Sequence, residues 1–128
     1  MTEQKIPAMP DDPKEAQRLL EALQKNRKFA GLLGIARKAG KVTAGTNLVA
    51  EAIRSGSPAK CPHTVFLASD ASENTKKRVT NCCTYDEIPL YPTPLTGADI
   101  GNAIGKSGSI SAVGITDRGL ADALQKLL

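Results

Sequence analysis

Short apolar segments alternate with amphipathic segments along this chain, and this alternation limits the folds that it can adopt. The pattern predicts strands near residues 41–44, 64–68, 88–91 and 110–116, with helices near 46–55, from 70 onward, 95–104 and 119–127. Pro89 cannot donate to a strand ladder, so we expect strand 88–91 at a sheet edge. The alternation predicts an α/β fold, a three-layer α-β-α sandwich with a mixed four-stranded sheet.

The N-terminal region is expected to be helical after a disordered tail at residues 1–11, which contains Pro7 and Pro10 and no periodicity. Asp12 and Pro13 are typical of an N-cap and a first helical position. We predict an added helix at about 13–24, and a second helix from about Arg27 to Ala39, within one domain at 12–128. The inward-facing residues are predicted to be Ala16, Leu19, Leu20 and Leu23 in the first helix, and Phe29, Leu32, Leu33, Ile35 and Ala36 in the second.

The opposite face of the second predicted helix carries Arg27, Gly31, Gly34 and Lys38. Each of the two glycines costs about 1 kcal/mol of helix propensity relative to alanine. We therefore expect a close approach to the backbone there, either by a neighbouring helix, which we favour, or by a ligand.

Cysteine usage and hydropathy indicate a cytoplasmic protein. The three cysteines are an odd number without CxxC spacing, which argues against a disulfide framework. No apolar run approaches the roughly 20 residues of a membrane span, and the N-terminus lacks a signal-like apolar segment. Cys61, His63, Cys82 and Cys83 could supply four zinc ligands, but their spacing suits a tetrahedral site poorly. We expect no metal and no cofactor.

Charge is distributed unevenly although the net charge is only +4. Every charged residue from Lys25 to Lys41 is basic, whereas the segment from Tyr85 to Ala103 carries only acids. One end of the molecule should therefore attract a polyanion. A merely solvated helix face would produce the same pattern.

No segment of the sequence matches a catalytic motif well. Gly101 to Ser107 resembles a phosphate-binding loop, but its glycines are one residue too close and it follows a predicted helix. His63 has no evident nucleophile beside it. We expect no enzymatic activity and no small-molecule substrate. The segment from Gly105 to Gly108 matches the GxxG of KH domains only weakly, yet it remains a flexible basic loop able to meet RNA.

Low aromatic content, at 3%, leaves no platform for base stacking. An RNA-binding chain of this composition would rely on phosphate contacts and helix N-termini. Gly45, Thr46 and Asn47 lie between a predicted strand and helix, where free N–H groups could face a phosphate or a base edge. An ordinary N-cap would have the same sequence.

Several sequence segments resemble the ribosomal protein L-seven-Ae (L7Ae) family, and they are most similar to its bacterial YlxQ-like branch. They span about residues 27–127: Gly31 to Lys41, Gly45 to Asn47, Ala52 to Gly56, Ala68 to Lys76 and Ile100 to Gly105. The resemblance implies an α-β-α sandwich that binds structured RNA of the kink-turn type, with ribosomal RNA and ribosomal proteins as partners. It implies that the helix start at Gly45, Thr46 and Asn47, with Lys41 beside it, enters the RNA on the major-groove side of tandem sheared G·A pairs. The loop that would cover an extruded nucleotide is Lys106, Ser107, Gly108, Ser109 and Ile110, while Arg37 and Lys38 would add general phosphate contacts.

Two positions depart from the pattern of strong kink-turn binders, which commonly place an acid after the asparagine and a lysine three residues later. Here these positions are Leu48 and Glu51. They favour an alternative function, a protein-interaction module of the same fold that has lost kink-turn recognition. A third alternative, an accessory domain of an RNA-modifying enzyme, would need a catalytic partner chain.

Overall fold

The computed structural model describes residues 11–128, so the predicted tail lies outside the described residues except for Asp11. Within these residues, five helices alternate with four strands along the chain. Their bounds are α1 Pro13–Lys38, β1 Val42–Ala44, α2 Thr46–Arg54, β2 Thr64–Leu67, α3 Glu73–Tyr85, β3 Leu90–Pro92, α4 Gly97–Ala103, β4 Ala112–Ile115 and α5 Arg118–Gln125. No helix in this part of the chain is both long enough and apolar enough to span a bilayer.

The sheet is mixed and has the order β1-β4-β2-β3. The inner strand β4 runs antiparallel to both β1 and β2, with Ile115 opposite Val42 on one side and Thr64 on the other. Strand β3 pairs in parallel with β2 and lies at an edge, as the proline at position 89 predicts. The four-stranded mixed sheet is therefore confirmed.

Helices cover both faces of this sheet, which makes the predicted three-layer sandwich. On one face, α1, α4 and α5 bury a core around Phe66, whose ring meets that of Phe29 edge-on at a centroid distance of 5.2 Å. On the other face, α2 and α3 pack through Val49 and Val79 onto Val65. Because strand side chains alternate between faces, the neighbours Val65 and Phe66 belong to different cores.

The N-terminal region forms one 26-residue helix, so the predicted break between residues 24 and 27 is wrong. Asp12 caps its start by accepting from the N–H of Lys14 at 3.0 Å. The intervening residues, Gln24 to Lys28, include no glycine or proline that would interrupt the backbone hydrogen bonds. The first part of this helix, residues 13–26, contains no buried residue and forms a projecting arm.

The residues of α1 that were predicted to face inward are incompletely covered, and Ala16, Leu19 and Leu32 are half-buried. Leu20 and Leu23 are 46% and 38% exposed, and Ile35, which was predicted to face inward, is 58% exposed. Only Phe29, Leu33 and Ala36 of this helix are fully buried. Helical periodicity shows which residues share a face, but the extent of the sheet decides where that face is covered.

Helix α3 begins at Glu73, three residues later than the predicted start at residue 70. Ser72 is the N-cap, and its side chain accepts from the N–H of Thr75 at 3.2 Å. The Asp70 carboxylate instead accepts from the N–H of Gly97 at 2.8 Å, which ties the loop after β2 to the start of α4.

Candidate nucleic-acid interface

The start of α2 presents a row of hydrogen-bond donors. Gly45 is its N-cap, with φ of 100° and no side chain to cap the helix. The first N–H bonded within the helix is that of Val49, which donates to the Gly45 carbonyl at 3.0 Å. Helix geometry therefore leaves the N–H groups of Thr46, Asn47 and Leu48 directed out of the first turn, at the positive end of the helix dipole.

Gly45 also fixes this turn to the sheet. Its N–H donates to the carbonyl of Ala112 at 2.8 Å, which continues the β1–β4 ladder by one residue. A positive φ of this size is strained for residues with a side chain, so the sharp turn from β1 into α2 depends on glycine. The helix start is therefore held by the inner strand β4.

The side chain of Asn47 is oriented by a residue of α3. Its Oδ1 accepts a hydrogen bond of 2.7 Å from Nη1 of Arg78. Both side chains are exposed, so this contact places a guanidinium directly beside the donor row of α2. Sequence reasoning missed Arg78, because 31 positions separate it from Asn47.

Three of the basic residues that are predicted to bind RNA lie at or just after the end of α1. Arg37 and Lys38 are exposed in its last turn, where cations also complement the negative end of the helix dipole. Lys41 is held by its backbone: its N–H donates to Ala36 at 3.0 Å and its carbonyl accepts from Thr116 at 2.9 Å. The Lys41 side chain is exposed at the entry to β1.

The predicted loop before β4 is packed against α4. An added Cβ on Gly101 would collide with the carbonyl oxygen of Gly108, and the N–H of Ile110 donates to Gly97 at 3.0 Å. Lys106, Ser107, Gly108 and Ser109 are exposed, and Ile110 is half-buried. Gly101, which resembled the first glycine of a phosphate-binding loop, instead allows the close approach of this loop.

The structure brings Lys106 together with Arg37 and the side of α2. Both cations line one groove beside Leu48 and Glu51. Lys60, in the loop after α2, lines the same groove and was missed by the sequence analysis because it is an isolated lysine in a loop. The RNA-binding role of the predicted residues remains a prediction.

The cysteines are free thiols. Within residues 11–128, no group of three or more His, Cys, Asp or Glu residues is arranged to hold a metal ion. Burial is the main cause that raises the pKa of Cys83 to about 11, and burial also raises the pKa of Cys61. These two thiols stay protonated at neutral pH.

Comparison with known sequences matches this chain to one family. The model of the ribosomal protein L7Ae/L30e/S12e/Gadd45 family matches residues 27–125. The RNA-binding protein YlxQ of Bacillus subtilis (strain 168) is 42% identical over 97 residues, which cover 76% of this chain and 91% of that protein. The RNA-binding protein YlxQ of Enterococcus faecium is 38% identical over 102 residues, covering 80% and 92%.

Solved structures share the fold. A protein of unknown function from Bacillus halodurans superposes with a TM-score of 0.68 at 31% identity, covering 78% of this chain and 95% of that one. A 15.5kD RNA binding protein from Giardia lamblia superposes with a TM-score of 0.62 at 14% identity, covering 81% and 84%. The family match begins at residue 27, so the projecting arm of α1 lies outside it.

Proposed function

The chain belongs to the ribosomal protein L7Ae/L30e/S12e/Gadd45 family, and from this premise we propose that it is an RNA-binding protein that recognises structured RNA through the start of α2. The observation that carries the proposal is the donor row at Thr46, Asn47 and Leu48, with Arg78 bonded to Asn47 beside it. Phosphates and the acceptor edges of bases complement such a row. The similarity to bacterial proteins named as RNA-binding supports the same function.

The finer proposal is that the RNA contains a kink-turn, that it is ribosomal RNA and that ribosomal proteins lie nearby. Association with ribosomes would place the protein in the cytoplasm. The role is binding without catalysis, since hydrogen-bond donors and cations at the α2 start can hold RNA but offer no poised base or nucleophile.

The test is a gel-shift titration with three RNA probes: a kink-turn hairpin, a perfect duplex of the same length and a single strand. We expect binding to the kink-turn hairpin to weaken with salt, with a log-log slope of about −0.7 to −0.9 per phosphate contact. Combined charge reversal of Arg37, Lys38 and Lys41 should weaken binding and flatten that slope by about two to three.

A matched control reverses three exposed cations away from the α2 start, Lys14, Arg18 and Lys126, with the same change in net charge. Its slope should stay close to that of the unmodified protein. An unchanged affinity in the first variant, or equal losses in both, would overturn the assignment of the site.

A second candidate function is the protein-interaction module. Leu48 is 51% exposed beside Glu51 on α2, and an exposed apolar residue next to an acid is unusual in a phosphate-binding surface. This function predicts no salt-sensitive binding to any of the three RNA probes, together with a protein that copurifies in a fixed ratio.

A further inference from the structure

A groove runs along the free edge of the sheet, between β1 and the outer side of α2. Strand β1 is at the end of the order β1-β4-β2-β3, so one of its edges has no neighbouring strand from residues 11–128. The groove has a volume of about 660 Å³, within the roughly 300–1,000 Å³ of ligand pockets in general. It lies next to the α2 start but reaches well beyond it, to Ser55 and Lys60.

Three cations from three separate segments line this groove: Arg37 at the end of α1, Lys60 in the loop after α2, and Lys106 in the loop before β4. Glu51 is the acid among the lining residues. The ion pair found within residues 11–128 joins Lys76 to Glu73, so none of the three groove cations is neutralised by a carboxylate of that part of the chain. An exposed cluster of this kind favours a polyanion.

The wall between the cations is apolar. It is lined by Val42, Ala44, Leu48 and Ala52. The exposed side chain of Leu48 therefore lies within a groove of ligand size. The lining residues include no aromatic side chain. A nucleic-acid strand fits this combination, because its phosphates can meet the cations while its sugars lie on the aliphatic wall. Without aromatic stacking, the groove should be indifferent to base identity.

The groove is continuous with the start of α2. Ala44 and Leu48 flank the Gly45–Asn47 turn directly, and both line the groove. We propose that the groove holds a single-stranded RNA segment that continues from the structured RNA bound at the α2 start. This inference rests on the proposed function, which it extends to a second surface and a second class of RNA element.

The experiment compares a kink-turn hairpin with the same hairpin carrying eight unpaired nucleotides at its 5′ or 3′ end. We expect one of the two extensions to tighten binding by about fivefold near 0.1 M salt and to steepen the salt slope by about one to two, as one or more added phosphate contacts would. Extensions of uridine, adenosine and cytidine should act alike.

Lys60→Gln should remove most of this gain while leaving the affinity for the unextended hairpin unchanged. Lys126→Gln is the matched control, an exposed lysine at the end of α5, and should retain the gain in full. Circular dichroism of both variants checks that they remain folded.

The inference is overturned if neither extension changes the affinity, or if the gain survives both Lys60→Gln and Arg37→Gln. It is also overturned if a ten-residue glutamate peptide binds the groove as tightly as the extension does, which would indicate an acidic protein partner. A complete lack of binding to the unextended hairpin contradicts the proposed function itself, so the two failures are distinguishable.

Discussion

Oδ1 of Asn47 accepts a hydrogen bond of 2.7 Å from Nη1 of Arg78 and thereby links the start of α2 to the middle of α3. A guanidinium offers only donors, so the asparagine oxygen must face Arg78 and the asparagine NH₂ must point elsewhere. The side chain of Asn47 therefore presents donors, like the backbone N–H groups beside it. The whole helix start is matched to acceptors on its ligand.

Arg78→Ala should weaken RNA binding by about threefold to tenfold, because Asn47 would lose the bond that orients its amide. In an Asn47→Ala background, Arg78→Ala should weaken RNA binding little further. Arg78→Lys should restore part of the RNA affinity that Arg78→Ala removes. A double-mutant cycle measured by fluorescence anisotropy gives the coupling. Lys77→Ala, an adjacent exposed cation on α3, controls for net charge.

Equal losses from Arg78→Ala in both backgrounds would contradict this positioning role. That result, together with a flatter salt slope, would mean that Arg78 contacts phosphate by itself.

Substitution of the two glycines in α1 by alanine should change the free energy of unfolding in opposite directions. A Cβ on Gly31 meets open space, whereas a Cβ on Gly34 would lie 2.9 Å from the carbonyl oxygen of Ala103 in α4. Gly31→Ala should raise the free energy of unfolding by up to about 1 kcal/mol through helix propensity. Gly34→Ala should lower it by about 1–3 kcal/mol, since α1 and α4 must move apart. Urea unfolding measures both.

Stabilisation by both substitutions would show that α4 yields easily to the added methyl group. The pair also answers a question left open by the sequence: of the two glycines, Gly34 accommodates a neighbouring helix, and Gly31 meets no neighbour among residues 11–128.

Sequence patterns predicted the order of strands and helices because each buried strand is short, apolar and bounded by turn residues. They failed for α1, where two apolar stripes suggested two helices although nothing between them ends a helix. They failed also for Ile35, because periodicity places a residue on a face and cannot show whether another element covers it. Whether a helix face is buried depends on how the helices and the sheet pack together.

Cys83 should resist alkylation in the folded protein. Its side chain is 2% exposed, and burial, followed by the nearby Cys82, Cys61 and Asp86, raises its pKa from 9.0 to about 11. At pH 8 this leaves about a hundredfold less thiolate than an ordinary cysteine has. Iodoacetamide labelling followed by peptide mass spectrometry should show Cys83 reacting slowly in buffer and at an ordinary rate in urea.

The same shift in pKa makes stability depend on pH. The unfolded thiol ionises near 9 and the folded one near 11, so its contribution to stability is complete below pH 9 and is lost as the pH rises to 11. Rapid labelling of Cys83 at pH 8 without denaturant would contradict both statements.

The candidate site was partly predictable. The turn Gly45–Asn47 follows from a strand, a glycine and a helix start in immediate succession, all of which are local features. Arg78 reaches this turn only through folding, because α3 is distant from it in sequence. Sequence spacing shows contacts within an element and is silent on contacts between elements.

Leu48 and Glu51 should limit affinity for kink-turn RNA, and replacing them should raise it. Both side chains are exposed on the first turns of α2, so Leu48→Glu and Glu51→Lys can be made without disturbing the core. The lysine replaces a charge that repels phosphate by one that attracts it, and the glutamate adds an acceptor for base N–H groups. A well-placed contact of this kind is worth about 1–3 kcal/mol, so the double variant should bind a kink-turn hairpin at least about tenfold more tightly.

The gain should depend on the sheared G·A pairs, since the added carboxylate reads a base and not the backbone. A hairpin with those pairs changed to Watson–Crick pairs should gain only the part due to Glu51→Lys, and its salt slope should steepen by about one. Glu51→Gln alone, which removes the repulsion without adding a cation, should give a smaller gain on both hairpins. If the double variant binds no better than the unmodified protein, then α2 does not enter the RNA groove, and Leu48 is better explained as a contact for a protein partner.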